Sequence, residues 1–162
     1  MHAKPDFEGK ICAPKRLGKR LAAIDRPLVF TNGVFDLLHR GHVTYLAQAR
    51  ALGASLLVAL NSDASARRLG KGSDRPLNPL EDRMAVLAAL GAVDVVTWFD
   101  ADTPLATIVA CHPDILVKGG DWKPDDIVGA AEVRGWGGKV VSIPLVAGRS
   151  TTALVERIRG KG

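Results

Sequence analysis

The chain has 162 residues, 47% of them hydrophobic and 24% charged, a size and balance suited to one soluble globular domain whose core needs no disulfide or metal staple. No apolar run approaches the ~20 residues of a membrane span, and residues 1–6 have no apolar export signal, which excludes an integral membrane protein and places the expected site of action in the cytoplasm. A net charge of +5 would suit nucleic acid, yet only 5% of residues are aromatic and no interleaved basic and aromatic platform occurs. No nucleic-acid partner is therefore expected, and phosphorylated substrates suit the charge equally well.

Residues 1–26 form a basic arm carrying Lys4, Lys10, Lys15, Arg16, Lys19 and Arg20, with Leu17, Leu21, Ala22 and Ile24 suggesting one short helix. Cys12 and Cys111 have no CxxC neighbour and read as free thiols. The arm precedes a domain spanning 27–162. That domain opens with the apolar run Leu28-Val29-Phe30-Thr31, a buried strand, followed by a tight loop and a helix beginning at Gly41-His42. Val43, Leu46 and Ala47 keep helical spacing, and Gly53 is expected as the C′ residue. A continuous apolar run over 55–61 reads as a strand buried on both faces.

Residues 64–78 read as a basic loop, in which Gly-flanked Lys71 could close over a triphosphate. Asn78 is expected as the N-cap of the next helix, with Pro79 at N1 and Glu81 at N3; Leu80, Met84 and Leu87 continue it toward Gly91. A third strand follows over 93–99, then a helix from Thr103-Pro104 to about Cys111, a strand over 114–117, a helix near 129–136, a strand over 139–144, and a last helix after Ser150. This alternation predicts an α/β fold, a Rossmann-like, doubly wound parallel sheet of about five strands with helices on both faces. Ligands of such sheets bind beyond the carboxyl ends of the strands, near a switch in strand order. Neither GxGxxG nor GxxxxGK[ST] occurs, which disfavours a dinucleotide oxidoreductase or a P-loop enzyme.

The chemistry gathers at the strand ends. His39 and His42 sit three apart across a helix start, where unpaired N–H groups and the macrodipole attract anions, and Gly41 lets a phosphate approach the backbone. Two histidines without a third ligand at metal spacing make zinc a weaker reading, and no metal held by the protein alone is expected. Lys118-Gly119-Gly120-Asp121-Trp122 turns tightly after a buried strand on the same edge. Arg83 lies near a helix start that disfavours cations and so needs another reason to be there.

The run Gly33-x-Phe35-Asp36-x-x-His39-x-Gly41-His42 resembles the HxGH signature of the nucleotidyltransferase superfamily. Residues 28–159 further resemble the ADP-heptose synthase group, heptose 1-phosphate adenylyltransferases, through Phe30-Thr31-Asn32-Gly33, Asn61-Ser62-Asp63, Arg75-Pro76-Leu77-Asn78-Pro79, Lys118-Gly119-Gly120-Asp121 and Ser150-Thr151-Thr152. The resemblance implies transfer of AMP from ATP to D-glycero-β-D-manno-heptose 1-phosphate, releasing pyrophosphate on the way to lipopolysaccharide core. On this reading His39, His42 and Lys118 are catalytic. Thr31, Asn32, Gly33, Phe35, Gly41, Lys71, Arg83, Gly148, Ser150 and Thr151 bind nucleotide, and Asp36, Asn61, Asp63, Arg75, Gly120, Asp121 and Trp122 bind the acceptor. Mg²⁺ is expected, held mainly by the triphosphate. A homo-oligomer is also implied. Many members of the group are fused to a sugar kinase that this chain is too short to hold, so separate kinase and phosphatase enzymes are expected to supply the acceptor.

Two departures stand out. Arg149 occupies a place where many relatives carry a small or hydrophobic residue, and Leu145-Val146-Ala147-Gly148 stands where cytidylyltransferases have Arg-Thr-Glu-Gly. The second weakens CTP as donor. The alternatives are a cytidylyltransferase acting on glycerol 3-phosphate or a related polyol phosphate, and a nucleotide-sensing domain without turnover.

Overall fold

The computed structural model describes residues 3–70, 72 and 74–160. Five parallel strands, β1 (Leu28–Gly33), β2 (Ser55–Asn61), β3 (Val95–Phe99), β4 (Ile115–Gly119) and β5 (Lys139–Ile143), form one sheet in the order β3-β2-β1-β4-β5. The helices are α1 (Leu17–Leu21), α2 (Arg40–Arg50), α3 (Asp63–Arg68), α4 (Leu80–Ala88), α5 (Leu105–Cys111), α6 (Ala130–Gly135) and α7 (Thr151–Ile158). The chain starts in the middle of the sheet, winds outward to β3, then returns to build β4 and β5 on the other side of β1. The switch in strand order therefore falls between β1 and β4, as the doubly wound reading requires.

Residue alternation along the strands explains why both faces are covered. Leu28, Phe30, Leu57, Ala59, Val95 and Leu116 enter one core with α1, α5 and α6. Val29, Leu56, Val58, Leu60, Val96 and Val117 enter a second core with Tyr45, Leu46 and Ala49 of α2 and Leu87 and Ala88 of α4. Successive side chains point to opposite faces, so a continuous apolar strand feeds two layers.

The basic arm is part of this packing. Leu17 and Leu21 are buried against the first core, Ile11 bridges to Val96, and the Cys12 N–H donates to the Val96 carbonyl at 2.8 Å. The arm thus covers the outer edge of β3, which would otherwise present unpaired backbone groups.

Three local expectations are corrected. Residues 63–68 are helical rather than loop, because Ser62 caps α3 by accepting from the Ser65 N–H at 3.0 Å. Asn78 does not cap α4: Pro79 holds the N-cap position, and the Asn78 side chain donates instead to the Asp36 carbonyl at 2.9 Å. Gly53 is not a left-handed C′ residue. Its constraint is close approach, since a Cβ there would lie 2.5 Å from the Pro27 carbonyl oxygen.

Candidate functional site

The loop leaving β1 is shaped by two residues that act together. Phe35 has φ 49°, an unfavourable backbone for a side chain of this size, and its ring folds back over Gly33, where an added Cβ would come within 2.9 Å of it. The same ring packs on His42, with centroids 5.4 Å apart. Gly33 and Phe35 are therefore the bed on which His42 lies.

His39 is the N-cap of α2, and its Nδ1 accepts from the Gly41 N–H at 3.1 Å. A nitrogen that accepts cannot carry the proton, so Nε2 bears it and is available as a donor. The His39 and His42 rings stack at 4.0 Å. Gly41 has no room for a side chain, because a Cβ would lie 2.8 Å from His39 Cε1. Burial, and then the neighbouring His39, pushes the His42 pKa down to about 4, and its Nδ1 lies buried without a hydrogen-bond partner among the described residues. Burial and then the Arg149 charge also lower the His39 pKa. Both imidazoles are thereby biased toward the neutral form.

This arrangement makes His42 an acid-sensitive element of the fold. The unfolded imidazole titrates at 6.5 and the folded one at about 4, so between these values the unfolded chain binds more protons and stability falls as pH falls. Between pH 7 and pH 5 the wild type is expected to lose more Tm than a His42→Asn variant. Equal losses in thermal unfolding would remove His42 from the acid response.

A cleft of about 270 Å³ opens in front of the histidines, lined by Val34, Asp36, His39, His42, Ala66, Arg75, Leu145, Arg149, Ser150, Thr151 and Thr152. Ser150 caps α7 through the Ala153 N–H at 3.1 Å, and the Thr151 hydroxyl donates to the Leu37 carbonyl at 3.2 Å. The N-termini of α2 and α7 thus border one cavity. Asp36 faces it too, but accepts from the N–H groups of Leu77 and Asn78 at 2.8–2.9 Å and from Arg75 at 3.0 Å. Burial alone would raise its pKa, yet the Asn78 and Leu77 N–H groups and the Arg75 guanidinium hold the carboxyl below its ordinary value. Asp36 therefore pins residues 75–78 to the β1 loop.

The predicted site residues divide by position. His39, His42, Asp36, Arg75, Ser150 and Thr151 share the cleft; Gly33, Phe35 and Gly41 shape its floor. Thr31 is fully buried and hydrogen-bonds the Tyr45 hydroxyl. Asn32 is the half-buried penultimate residue of β1, and Gly148, with φ 70°, turns the chain into Arg149. Arg83 is 1% exposed, and its guanidinium donates to the carbonyls of Asn78, Val34 and Asn61 and to Asp63 at 2.7–3.0 Å. Its donors, and with them Asp63, serve the protein frame. The Asn61 side-chain amide donates to Ser65 at 3.0 Å.

Lys118 and the glycine loop after β4 lie off the wall of this cleft. The Lys118 Nζ stands 5.9 Å from the centre of the Trp122 ring, Gly120 has φ 116°, and Asp121 and Trp122 are exposed. Lys71 lies outside the described residues. Val34, Ala66, Leu145, Arg149 and Thr152 line the cleft without having been assigned to it from sequence. Arg149 and Thr152 adjoin the Ser-Thr pair, a signal that could have found them, whereas Ala66 arrives only because α3 forms.

Residues 30–157 match the model of the family described as cytidylyltransferase-like, and the chain belongs to this family of nucleotidyltransferases. It is 59% identical to the D-beta-D-heptose 1-phosphate adenylyltransferase of Bordetella bronchiseptica over 155 residues, covering 94% of this chain and 96% of that one. It is 58% identical to the bifunctional protein HldE of Pseudomonas syringae pv. syringae over 83% of this chain, which spans 28% of that longer protein. Among solved structures, a lipopolysaccharide core biosynthesis protein from Thermoplasma volcanium superposes with a TM-score of 0.61 at 30% identity, covering 74% of this chain and 95% of that one. Pantothenate synthetase from Thermus thermophilus shares the fold, with a TM-score of 0.57 at 18% identity over 85% of this chain and 62% of that one.

Proposed function

We propose that the cleft transfers AMP from ATP to D-glycero-β-D-manno-heptose 1-phosphate, giving ADP-heptose and pyrophosphate for lipopolysaccharide core synthesis. The observation that carries this reading is the 59% identity to a heptose 1-phosphate adenylyltransferase, over nearly the full length of both chains. The geometry supports it through two imidazoles and two helix N-termini around one cavity.

An acceptor phosphate oxygen attacks the α-phosphorus in line, the bond to the bridging oxygen breaks, and pyrophosphate leaves with the electron pair. The acceptor is already a nucleophile, so the protein supplies position and charge rather than a general base. His39 and His42 donate to phosphate oxygens, each such bond to a charged group being worth about 1.5–3 kcal/mol. The N-terminus of α2 adds roughly 0.3–1 kcal/mol per anionic charge. Arg75, Asn61 and the glycine loop with Gly120, Asp121 and Trp122 are assigned to the acceptor, and Lys71, Lys118 and the loop around Gly148 to the phosphates, while Asp63 stays with Arg83 in the frame.

The carboxylates near the cleft suit a metal delivered by the nucleotide rather than one caged by the protein. Asp36 is taken up by Arg75 and two backbone N–H groups, and Asp63 by Arg83. Mg²⁺ would come on the triphosphate oxygens and offset their charge. The same reading takes 27–162 as the catalytic domain with 1–26 as its arm, acting in the cytoplasm as a homo-oligomer on an acceptor made by separate kinase and phosphatase enzymes.

The test is pyrophosphate release with ATP or CTP, each offered heptose 1-phosphate or glycerol 3-phosphate. Release with ATP and heptose 1-phosphate alone is expected. Release with CTP and glycerol 3-phosphate would keep the mechanism and replace the substrates; binding of ATP without release on any acceptor would favour a sensing domain.

A further inference from the structure

We propose that Arg149 clamps the β- and γ-phosphates of the nucleotide and holds the departing pyrophosphate, an assignment that rests on the adenylyl-transfer reading above. Two guanidinium groups line the cleft, Arg75 and Arg149. Arg75 is paired with Asp36 at 3.0 Å, so its charge is already offset within the protein. Arg149 has no hydrogen-bond or ion-pair partner for its side chain among the described residues. It is the uncompensated cation of the cavity wall.

Its location fits the leaving group. Arg149 directly precedes Ser150, the N-cap of α7, and its stem lies against the start of α2, where a Cβ built on Gly41 would stand 3.4 Å from the Arg149 Cβ. Both helix ends that can receive phosphate oxygens therefore flank Arg149, and the planar fork of an arginine takes two oxygens of a phosphate at once. Its charge is also felt at His39, whose protonation it opposes. When the α-phosphorus forms its bond to the acceptor, charge accumulates on the pyrophosphate oxygens. A cation preorganised there stabilises the transition state more than the bound substrate.

The experiment compares wild type, Arg149→Ala and Arg149→Lys for inhibition by inorganic pyrophosphate, for AMP affinity and for kcat. Pyrophosphate affinity and kcat are each expected to fall about tenfold or more in Arg149→Ala, as loss of one charge-assisted contact implies. AMP, which lacks the β- and γ-phosphates, should bind unchanged, and Arg149→Lys should recover part of the loss. Because the side chain is exposed, Tm should hold, while the His39 imidazole titration followed by NMR moves to higher pH once the positive charge is gone. Unchanged pyrophosphate affinity in an Arg149→Ala enzyme that still turns over would overturn the assignment, as would a rise confined to the KM of the sugar phosphate. A wild type that binds neither ATP nor pyrophosphate would bring down the transfer reading and this assignment with it.

Discussion

His42→Ala is expected to lower kcat for pyrophosphate release about 10²–10³-fold, the cost of removing one preorganised donor from a site where charge develops. The ring sits in the first turn of α2, stacked on His39 and backed by Phe35, so little reorganisation is needed when the α-phosphorus becomes five-coordinate. Burial and the neighbouring His39 hold His42 neutral near pH 7, and on the proposed mechanism it would gain a reason to hold a proton as phosphate charge arrives. The KM for ATP should change less than kcat. Tm should move by only a few degrees, because the deletion loses a ring contact but also removes a buried nitrogen that has no partner among the described residues.

His42 is a cleaner probe than His39. The His39 side chain also caps α2, so His39→Ala would add the ~1 kcal/mol of a lost cap to any catalytic effect, whereas His39→Asn keeps a capping oxygen. Single-turnover assays with ATP and heptose 1-phosphate read the chemistry directly. A His42→Ala enzyme with more than a tenth of wild-type kcat would mean that this imidazole does not touch the reacting phosphate.

The fold was legible because its strands are continuous apolar runs and its breaks are polar. The 28–31 and 55–61 segments can only be buried on both faces, and that commits the chain to a covered parallel sheet. His39 and His42 were legible for a local reason: a pair three apart at a helix start is held together by the helix itself. What stayed hidden depends on contacts between distant segments. Asn78 looks like a cap until the Asp36 carbonyl, 42 residues away, takes its amide. Gly53 looks like a helix stop, but the Pro27 carbonyl is what leaves no room for a side chain. Ala66 reaches the cleft only once Ser62 has started a helix that a stretch rich in Arg and Gly conceals.

Arg83 is the clearest such case, and Arg83→Met is expected to cost about 3–5 kcal/mol, the loss seen when one partner of a buried, hydrogen-bonded charge is removed. Its guanidinium is fully enclosed and ties together the Val34 carbonyl just beyond β1, the Asn61 carbonyl at the end of β2, Asp63 at the start of α3 and the Asn78 carbonyl before α4. Methionine fills the space but leaves three carbonyls to be desolvated without donors, and it takes the cation from Asp63, whose side chain is 31% exposed. At about 2–4 °C per kcal/mol for a domain of this size, Tm should fall by about 6–20 °C. Arg83→Lys keeps the charge yet cannot spread its three donors over four acceptors, so an intermediate loss is expected. The family resemblance gave this arginine to the nucleotide's phosphate, and the two roles separate experimentally. A phosphate ligand would leave Tm intact and raise the KM for ATP. A frame residue lowers Tm first, and the surviving folded fraction, assayed well below its new Tm, still binds ATP. Because its acceptors lie at the carboxyl ends of β1 and β2, where the cleft begins, this buried cation supports the site from beneath while Arg149 faces it from the wall.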